Sequence, residues 1–334
     1  MSTVARAFVL VVFAVLMGGA LLVFFAVHRV NKVFDLPPSP ITRATAPDEI
    51  ARGGRLFRTL CLDCHAGPGG ARPTGARVTS APGFIGEVWA SNITADPQNG
   101  VGAWTDGELA RLLRNGIRRD HYYAATMSRF GHLGDDDVAA IIGFMRSDDP
   151  MMAATPAAPP VPPSKMALGG VLALAYAAGL DASGPEHLPM PARLPTADYG
   201  RYLAAFVYAC VDCHTNGLSP AAEKLGAPGL MAGGVVMHQA NGDVVYSSNL
   251  TPDGETGLGN WSADDLSRAL LTGIARDGHK LRPPMPVFRN MDATETAALY
   301  AFLRSVPAAH SPTPRSDAGM GAPSHTETQR GETR

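Results

Sequence analysis

The feature that most constrains the fold of this chain is an internal repeat. Residues 91–117, "SNITADPQNGVGAWTDGELARLLRNGI", match residues 248–274, "SNLTPDGETGLGNWSADDLSRALLTGI", without a gap. Further along, "IIGFMRS" at 141–147 matches "LYAFLRS" at 299–305. Such self-similarity indicates two structural units of the same kind, each with its own core. A functional motif in one copy therefore has to be sought in the other.

Helix signals dominate both copies. Thr105 with Glu108, and Ser262 with Asp265, form the [ST]-x-x-[DE] pattern of a capping box, and leucines at helical spacing follow each pair. Neither copy contains a convincing strand pattern. The sequence therefore predicts an all-α protein built from tandem helical domains.

The segment Ala7–Val27 is 21 residues without a charge. At about 1.5 Å per residue it is long enough to cross a hydrocarbon layer of about 30 Å. It predicts one uncleaved transmembrane helix; a signal peptide cleaved near "GGA" at 18–20 is the alternative. Arg6 precedes the segment, whereas Arg29 and Lys32 follow it, so the positive-inside rule favours a cytoplasmic location for the rest of the chain.

The segment between the two copies begins with a Pro/Ala-rich stretch, which predicts an extended linker. It continues with the apolar run "MALGGVLALAYAAGL", a helix either buried against a domain or lying at an interface. The polar C-terminus predicts disorder. The predicted organisation is a membrane anchor at 1–30, a first domain at 46–150, the linker with its short helix at 151–194, a second domain at 195–308 and a disordered tail at 309–334.

All four cysteines lie in two C-x-x-C-H motifs, "CLDCH" at 61–65 and "CVDCH" at 210–214. One four-thiolate zinc site would not use the adjacent histidines, and a thioredoxin-type pair needs a βαβ setting. C-x-x-C-H is the attachment signature of c-type haem, in which both thiols form thioethers and the histidine binds iron. The motifs predict two covalent haem c groups. Their ligands are Cys61, Cys64 and the iron ligand His65 in the first domain, and Cys210, Cys213 and the iron ligand His214 in the second.

The sixth iron ligand distinguishes an electron carrier from an enzyme. Met127 and Met285 occupy the same place in the two copies, downstream of C-x-x-C-H, and are predicted to ligate the two irons. His121 and His279 each stand six residues before these methionines and leave a His/His site open as the alternative. His132 is a weaker candidate.

Two other paired features have structural explanations. Asn92 and Asn249 begin Asn-x-Thr sequences, predicted to be structural loops and not glycosylation sites. Trp104 and Trp261 are aligned and either cover a haem edge or pack in the core. Aromatic residues make up only 7% of the chain, which leaves room for a buried prosthetic group, and a net charge of −2 gives no argument for nucleic-acid binding.

The motifs "YGRYLA", "CVDCHT", "SSNLTPDGETGLGNWSADDLSRAL" and "PPMPVF" closely resemble those of class I cytochrome c domains in bacterial multihaem cytochromes. The chain is similar in particular to the cytochrome subunits of membrane-bound alcohol and gluconate dehydrogenases. The resemblance implies helical cytochrome domains, haem attachment outside the cytoplasm and one-electron transfer. Two departures are that those subunits typically carry three haems, and that the axial Met-Pro of the family is Met127-Ser128 in the first copy.

The predicted function is electron relay by a membrane-anchored dihaem cytochrome c on the periplasmic face of the bacterial inner membrane. The expected donor is a membrane-bound redox complex or dehydrogenase, and the expected acceptor is an oxidase, a reaction centre or a soluble cytochrome. The N-terminal helix contacts the lipid bilayer, and no nucleic acid is involved. The protein is not predicted to be an enzyme itself; the alternative is a peroxidase-type or thiosulfate-oxidising dihaem enzyme with one reactive haem.

Overall fold

A computed structural model describes residues 2–79, 81–127, 130–155, 158, 160–176, 187–217, 221–238 and 243–314. The chain divides into two compact units, Met1–Met190 and Pro191–Arg334. The first unit thus includes almost all of the segment that was predicted to be a linker.

The first helix, α1, spans Thr3–Val30. Ser2 is its N-cap, and the Ser2 hydroxyl accepts a hydrogen bond from the Ala5 N–H at 3.2 Å. Most of its apolar side chains are exposed. Among the described residues it is the one helix long and apolar enough to cross a membrane. Its 28 residues give a length of about 42 Å, more than a hydrocarbon layer requires.

The first unit is organised by two long helices that cross closely. These are α2 (Pro47–Leu60) and α5 (Asp135–Met145). A Cβ on Gly53 would lie 1.8 Å from the carbonyl oxygen of Ala140, so glycine is required where the two backbones touch. Beside this contact, the buried Arg52 guanidinium pairs with the buried Asp137 carboxylate at 2.6 Å. The short α3 (Leu62–His65) and α4 (Asp106–Asn115) complete this helical group.

The first unit also contains short β-ladders, so the all-α prediction is correct for its main elements only. Strands β1 (Ala76–Arg77) and β3 (Trp89–Ala90) pair antiparallel. Strand β2 (Gly86–Glu87) pairs with β4 (Lys165–Met166), which lies in the segment predicted to be a linker. Helix α6 (Leu168–Tyr176) follows β4 and packs against α1. Residues 177–180, the end of the predicted short helix, lie outside the described residues.

The second unit repeats the helix crossing. A Cβ on Gly200 would lie 1.9 Å from the carbonyl oxygen of Ala298, where the first and last helices of this unit meet. The helices of this unit are α7 (Ala197–Tyr202), α8 (Cys210–His214), α9 (Ala221–Lys224), α10 (Ala263–Thr272) and α11 (Ala293–Ser305), and its strands β5 (Val236–His238) and β6 (Val244–Tyr246) pair antiparallel.

The two units differ just before the cysteine motif. The stretch from Gly200 to Cys210 is two residues longer than the stretch from Gly53 to Cys61. The second unit accommodates the extra length with a π-helical turn over Leu203–Val207 and with Ala209 in the left-handed conformation, φ 53°. A π-helical turn absorbs an insertion while the helix axis continues, which keeps the crossing and the motif in place.

Both predicted capping boxes are confirmed. The Thr105 hydroxyl accepts from the Glu108 N–H at 3.2 Å, and Ser262 accepts from Asp265 at 3.1 Å. Residues 315–334 of the predicted tail lie outside the described residues. The residues from 309 to 311, which were also assigned to that tail, are held in place, since Ser311 N–H donates to the Thr256 hydroxyl at 3.0 Å.

Candidate functional site

Each C-x-x-C-H motif forms a single short helical turn. In the first unit, α3 starts directly after Cys61, and the His65 N–H donates to the Cys61 carbonyl at 2.9 Å. In the second unit, α8 contains the whole motif. One helical turn therefore presents two thiols and an imidazole together, as thioether attachment plus iron ligation requires.

Desolvation keeps the thiols protonated. Burial raises the pKa of Cys61 and of Cys210 to about 12, and it raises the pKa of Cys64 and Cys213 as well. Cys61 is buried, whereas Cys213 is exposed. Thiolate is the nucleophilic form of cysteine, so these shifts argue against a thiolate redox site.

The motif histidines are oriented by the same hydrogen bond in both units. Nδ1–H of His65 donates to the Ser91 carbonyl at 2.7 Å, and Nδ1–H of His214 donates to the Ser248 carbonyl at 2.8 Å. A carbonyl only accepts, so the proton lies on Nδ1, and Nε2 keeps the lone pair that binds a metal. Burial lowers the pKa of both histidines, which favours the neutral ligand form.

The carbonyl partners of these histidines are functional residues that sequence reasoning missed. Ser91 and Ser248 are the first residues of the gapless repeat. Because the bond uses the backbone oxygen, the serine side chain gives no signal. The only clue in the sequence is that the repeat begins at this position.

In each unit, the N–H of a glycine is hydrogen-bonded to the carbonyl of the motif histidine. The Gly75 N–H donates to the His65 carbonyl at 3.0 Å, and the Gly233 N–H donates to the His214 carbonyl at 2.9 Å. Both glycines have positive φ, 90° and 70°, and a Cβ on Gly75 would lie 2.6 Å from the Ala90 carbonyl oxygen. A side chain is therefore excluded from both positions.

The structure gives the two predicted axial methionines the same local turn. The Met127 N–H donates to the Ala124 carbonyl at 3.0 Å, and the Met285 N–H donates to the Arg282 carbonyl at 3.0 Å. Both side chains are half-buried. Three residues later, the N–H groups of Phe130 and Phe288 each donate at 2.8 Å to the corresponding leucine of α4 or α10. The turn at the methionine is thus the same in both units.

The predicted alignment of His121 with His279 is wrong. His121 (φ 67°) occupies the left-handed turn position that Gly278 (φ 89°) holds in the second unit. Their N–H groups donate at 3.0 Å to Arg118 and Ala275, respectively. The position of His279 belongs to Tyr122 in the first unit, since the second loop has one extra residue before its methionine. An alignment based on the distance to the methionine therefore pairs His121 with His279, although His121 is structurally equivalent to Gly278.

The candidate histidines are engaged elsewhere. Nδ1–H of His121 donates to the Phe34 carbonyl at 3.1 Å, and the Phe34 N–H donates back to the His121 carbonyl at 3.0 Å. The His279 imidazole pairs with the Asp277 carboxylate on the surface. His132 is exposed. The surface position of His279 disfavours it as an axial ligand, whereas the Nδ1 bond of His121 does not engage its Nε2, so methionine ligation in the first unit stays a prediction.

The contacts of His121 belong to a strap that follows the anchor, residues 33–36. Val33 forms a β-bridge with Tyr122, and the Phe34 ring packs against Tyr123 at 6.4 Å between centroids. The buried Arg111 of α4 binds both the Leu36 carbonyl and the Arg118 carbonyl. The segment that follows α1 thus supports the loop that leads to Met127.

The Asn-x-Thr sequences form structural loops, as predicted. Asn92 and Asn249 are buried, and their side-chain oxygens each accept at 2.9 Å from the N–H two residues later. The Asn249 amide also donates to the Ala309 carbonyl at 2.7 Å. Two residues after each threonine, Asp96 and Asp253 accept backbone N–H groups, which lower the pKa of both carboxyls. The aligned Trp104 and Trp261 are half-buried.

Among the described residues, which include all four cysteines, no group of three or more His, Cys, Asp or Glu side chains is placed to hold a metal ion. The zinc alternative therefore has no site there. Each unit instead offers two thiols and one neutral imidazole with a free Nε2. This donor set fits covalently attached haem.

Known proteins resemble the chain over most of its length. The profile described as "Cytochrome C oxidase, cbb3-type, subunit III" matches residues 48–145. A protein named diheme cytochrome c-type, from Cereibacter sphaeroides, is 30% identical over 283 residues, which cover 78% of this chain and 86% of that protein. The chain belongs to the cytochrome c family.

Other relatives of this cytochrome are larger proteins. The cytochrome c subunit of the quinone alcohol dehydrogenase of Gluconobacter oxydans is 30% identical over 67% of this chain. The fructose dehydrogenase cytochrome subunit of Gluconobacter japonicus is 27% identical over 81% of it. The cytochrome spans about half the length of these two relatives, 47% and 55%. Membership of the family implies covalently bound haem c and haem-mediated electron transfer.

Proposed function

We propose that this cytochrome carries two haem c groups, one in each unit, and relays single electrons along the outer face of a membrane. The observation that carries the proposal is the repeated oriented histidine. His65 and His214 each follow two thiols on one helical turn and each donate Nδ1–H to the backbone carbonyl that opens the repeat, at 2.7 and 2.8 Å. Both units are then class I cytochrome c domains.

Haem iron supplies one-electron chemistry by alternating between Fe(II) and Fe(III). The protein would attach the group through Cys61 and Cys64 in the first unit and through Cys210 and Cys213 in the second. His65 and His214 offer Nε2 as the proximal ligand, and their Nδ1–H bonds fix the plane of each ring and raise its basicity.

Met127 and Met285 are proposed to supply the sixth ligand. Thioether ligation closes the iron site and raises the reduction potential, which suits a carrier. The equivalent turns at the two methionines support a carrier over a dihaem enzyme, because an enzyme needs one open or displaceable position. The two potentials should differ, since Phe34 and His121 brace the first loop whereas prolines surround Met285.

We propose a bacterial inner-membrane protein with α1 as a single-pass anchor and both units in the periplasm, because haem attachment to C-x-x-C-H takes place outside the cytoplasm. The relatives that are named as dehydrogenase subunits support a membrane-bound dehydrogenase or other redox complex as donor. An oxidase, a reaction centre or a soluble cytochrome is the proposed acceptor. The chain acts as a carrier or as a non-catalytic subunit, and co-purification in mild detergent distinguishes these roles.

The number of covalent haems per chain tests the proposal. Purified full-length protein should carry two by intact mass. The double variants Cys61→Ala/Cys64→Ala and Cys210→Ala/Cys213→Ala should each retain one. A wild-type mass showing a single haem, or the loss of both in one double variant that is still folded by circular dichroism, would overturn the two-site assignment.

Axial ligation is tested by the weak red absorption band of Met–Fe(III). Met127→Ala and Met285→Ala should each remove about half of this band while leaving the haem count at two. His279→Ala, whose imidazole lies on the surface, serves as the control and should leave the band in place. A band that responds to Met285→Ala alone would contradict the carrier assignment for the first haem and require an assay for peroxidase activity.

A further inference from the structure

The basic residues at the C-terminal end of α1 are unexplained by electron transfer. Arg29 and Lys32 lie on the side proposed to be periplasmic, against the positive-inside rule. These residues line a cavity of about 490 Å³ together with Phe25, His28 and Tyr176. None of the five lining residues is acidic.

Helix α6 forms the second wall of this cavity. It packs along α1, where Ala26 is fully buried. The Tyr176 hydroxyl donates to the Leu22 carbonyl at 3.0 Å, which fixes its ring at the edge of the cavity. Helix α6 carries no charged residue, and Leu168 at its start is 55% exposed. An uncharged helix that packs on the proposed membrane anchor and exposes an apolar side chain at its start suits the bilayer interface.

The position along α1 sets the depth of the cavity. Leu22 lies five residues before Val27, the last residue of the uncharged segment. With that segment as the membrane span proposed above, Tyr176 contacts α1 about 7.5 Å inside the hydrocarbon boundary. Lys32 lies five residues beyond Val27. The aromatic walls thus fall at the acyl level and the cationic rim at the headgroup level, as in an interfacial lipid site.

One of the cations is also held in place. Lys32 Nζ lies 5.0 Å from the centroid of the Phe34 ring, and Phe34 is bonded to His121 through both of its backbone polar groups. A cation stacked on a fixed ring loses less freedom when it binds an anion. The cavity volume lies within the range of small-molecule sites.

We propose that this cavity binds an anionic phospholipid, with the phosphate headgroup at Arg29 and Lys32 and an acyl chain against Phe25 and Tyr176. The site explains why cations are retained on the translocated side of the anchor. It also holds α6, and with it the first unit, at the membrane surface. The proposal does not depend on haem number or on axial ligation.

Native mass spectrometry of the full-length haem-loaded protein in detergent tests this site. The probes are phosphatidylglycerol, phosphatidylcholine with the same acyl chains, and inorganic phosphate. Wild type should bind one phosphatidylglycerol at least about tenfold more tightly than phosphatidylcholine, since each cation contributes about a fivefold preference. Millimolar phosphate should not displace the lipid.

Matched variants locate the binding. Arg29→Gln/Lys32→Gln should abolish the preference, and Tyr176→Phe, which removes one hydroxyl, should weaken retention of either lipid. Arg6→Gln, at the opposite end of α1, should bind like wild type. Equal binding of the two lipids, an equal loss in Arg6→Gln, or displacement by phosphate would each overturn the proposal.

Discussion

The crossing of α2 and α5 makes a quantitative prediction about Gly53→Ala. The added Cβ would lie 1.8 Å from the Ala140 carbonyl oxygen and 2.3 Å from its carbon, both backbone atoms that cannot rotate away. Close carbon–oxygen contacts normally lie at about 3.3 Å, so the helices would have to separate by about 1.5 Å.

The cost follows from what the two helices share. A gap of 0.5–1 Å already removes roughly a quarter to a half of the dispersion attraction between facing atoms. The Phe57–Phe144 ring contact at 5.2 Å and the buried Arg52–Asp137 pair both join these helices. Overpacking typically costs about 1–3 kcal/mol and occasionally more; a clash between two backbones that also loosens the ring contact and the ion pair belongs above that range, at about 4 kcal/mol, and the better helix propensity of alanine returns about 1 kcal/mol. We expect a net destabilisation of about 3 kcal/mol.

Urea unfolding followed by circular dichroism measures this cost. With a slope of about 1–3 kcal/mol per molar, the transition of the first unit should move down by about 1–3 M. Gly200→Ala should shift the transition of the second unit by a similar amount, because its Cβ would lie 1.9 Å from the Ala298 oxygen. Gly83→Ala, where nothing lies within 4 Å, is the control. A Gly53→Ala midpoint equal to that of the control would refute the close crossing.

Three further substitutions test local features. Ala209→Gly should stabilise the second unit by about 1 kcal/mol, because alanine at φ 53° carries left-handed strain; an unchanged urea midpoint would contradict this. Asp137→Asn should cost about 3–5 kcal/mol by leaving the buried Arg52 charge uncompensated, and a thermal scan with no shift would contradict it. Hydrogen bonds from the Thr256 N–H and hydroxyl lower the pKa of Asp253 in the folded state. The ionised carboxylate therefore contributes fully to folding stability above about pH 4, the pKa of the unfolded chain, and this contribution is lost as the pH falls through the lower pKa of the folded state. Acid titration of Asp253→Asn should therefore show a flatter loss of stability below about pH 4 than wild type, and identical curves would contradict the assignment.

The repeat made much of the fold predictable. It identified two units, and the capping patterns at Thr105 and Ser262 located α4 and α10, because helix starts depend on contacts within a few residues. The ladder of β2 with β4 was missed because it joins segments distant in sequence, Gly86 with Met166. Two-residue strands carry too little alternation to be recognised.

Three features of the candidate site were not predicted from the sequence, because each depends on backbone geometry and not on residue type. The bonds from His65 and His214 end on backbone carbonyls, which any residue type provides. The π-helical turn at Leu203–Val207 reflects an insertion whose accommodation depends on the fixed crossing at Gly200. The misalignment of His121 arose because a loop insertion changes the register without changing composition.

The histidine side of each site is the same in the two units, whereas the methionine side differs in its support. His121 binds the Phe34 carbonyl and so joins the strap to the first methionine loop. It does so from a left-handed backbone position, which glycine occupies in the second unit. A residue that accepts backbone strain of about 1–2 kcal/mol persists only where surrounding contacts over-determine it, and here those contacts come from the segment that leaves the membrane helix. The same segment places Phe34 beneath Lys32, at the rim of the proposed lipid site. Lipid binding at this rim and the environment of the haem proposed for the first unit should therefore be linked through Phe34. The second loop has Gly278 and the surface-exposed His279 instead and lies outside that linkage.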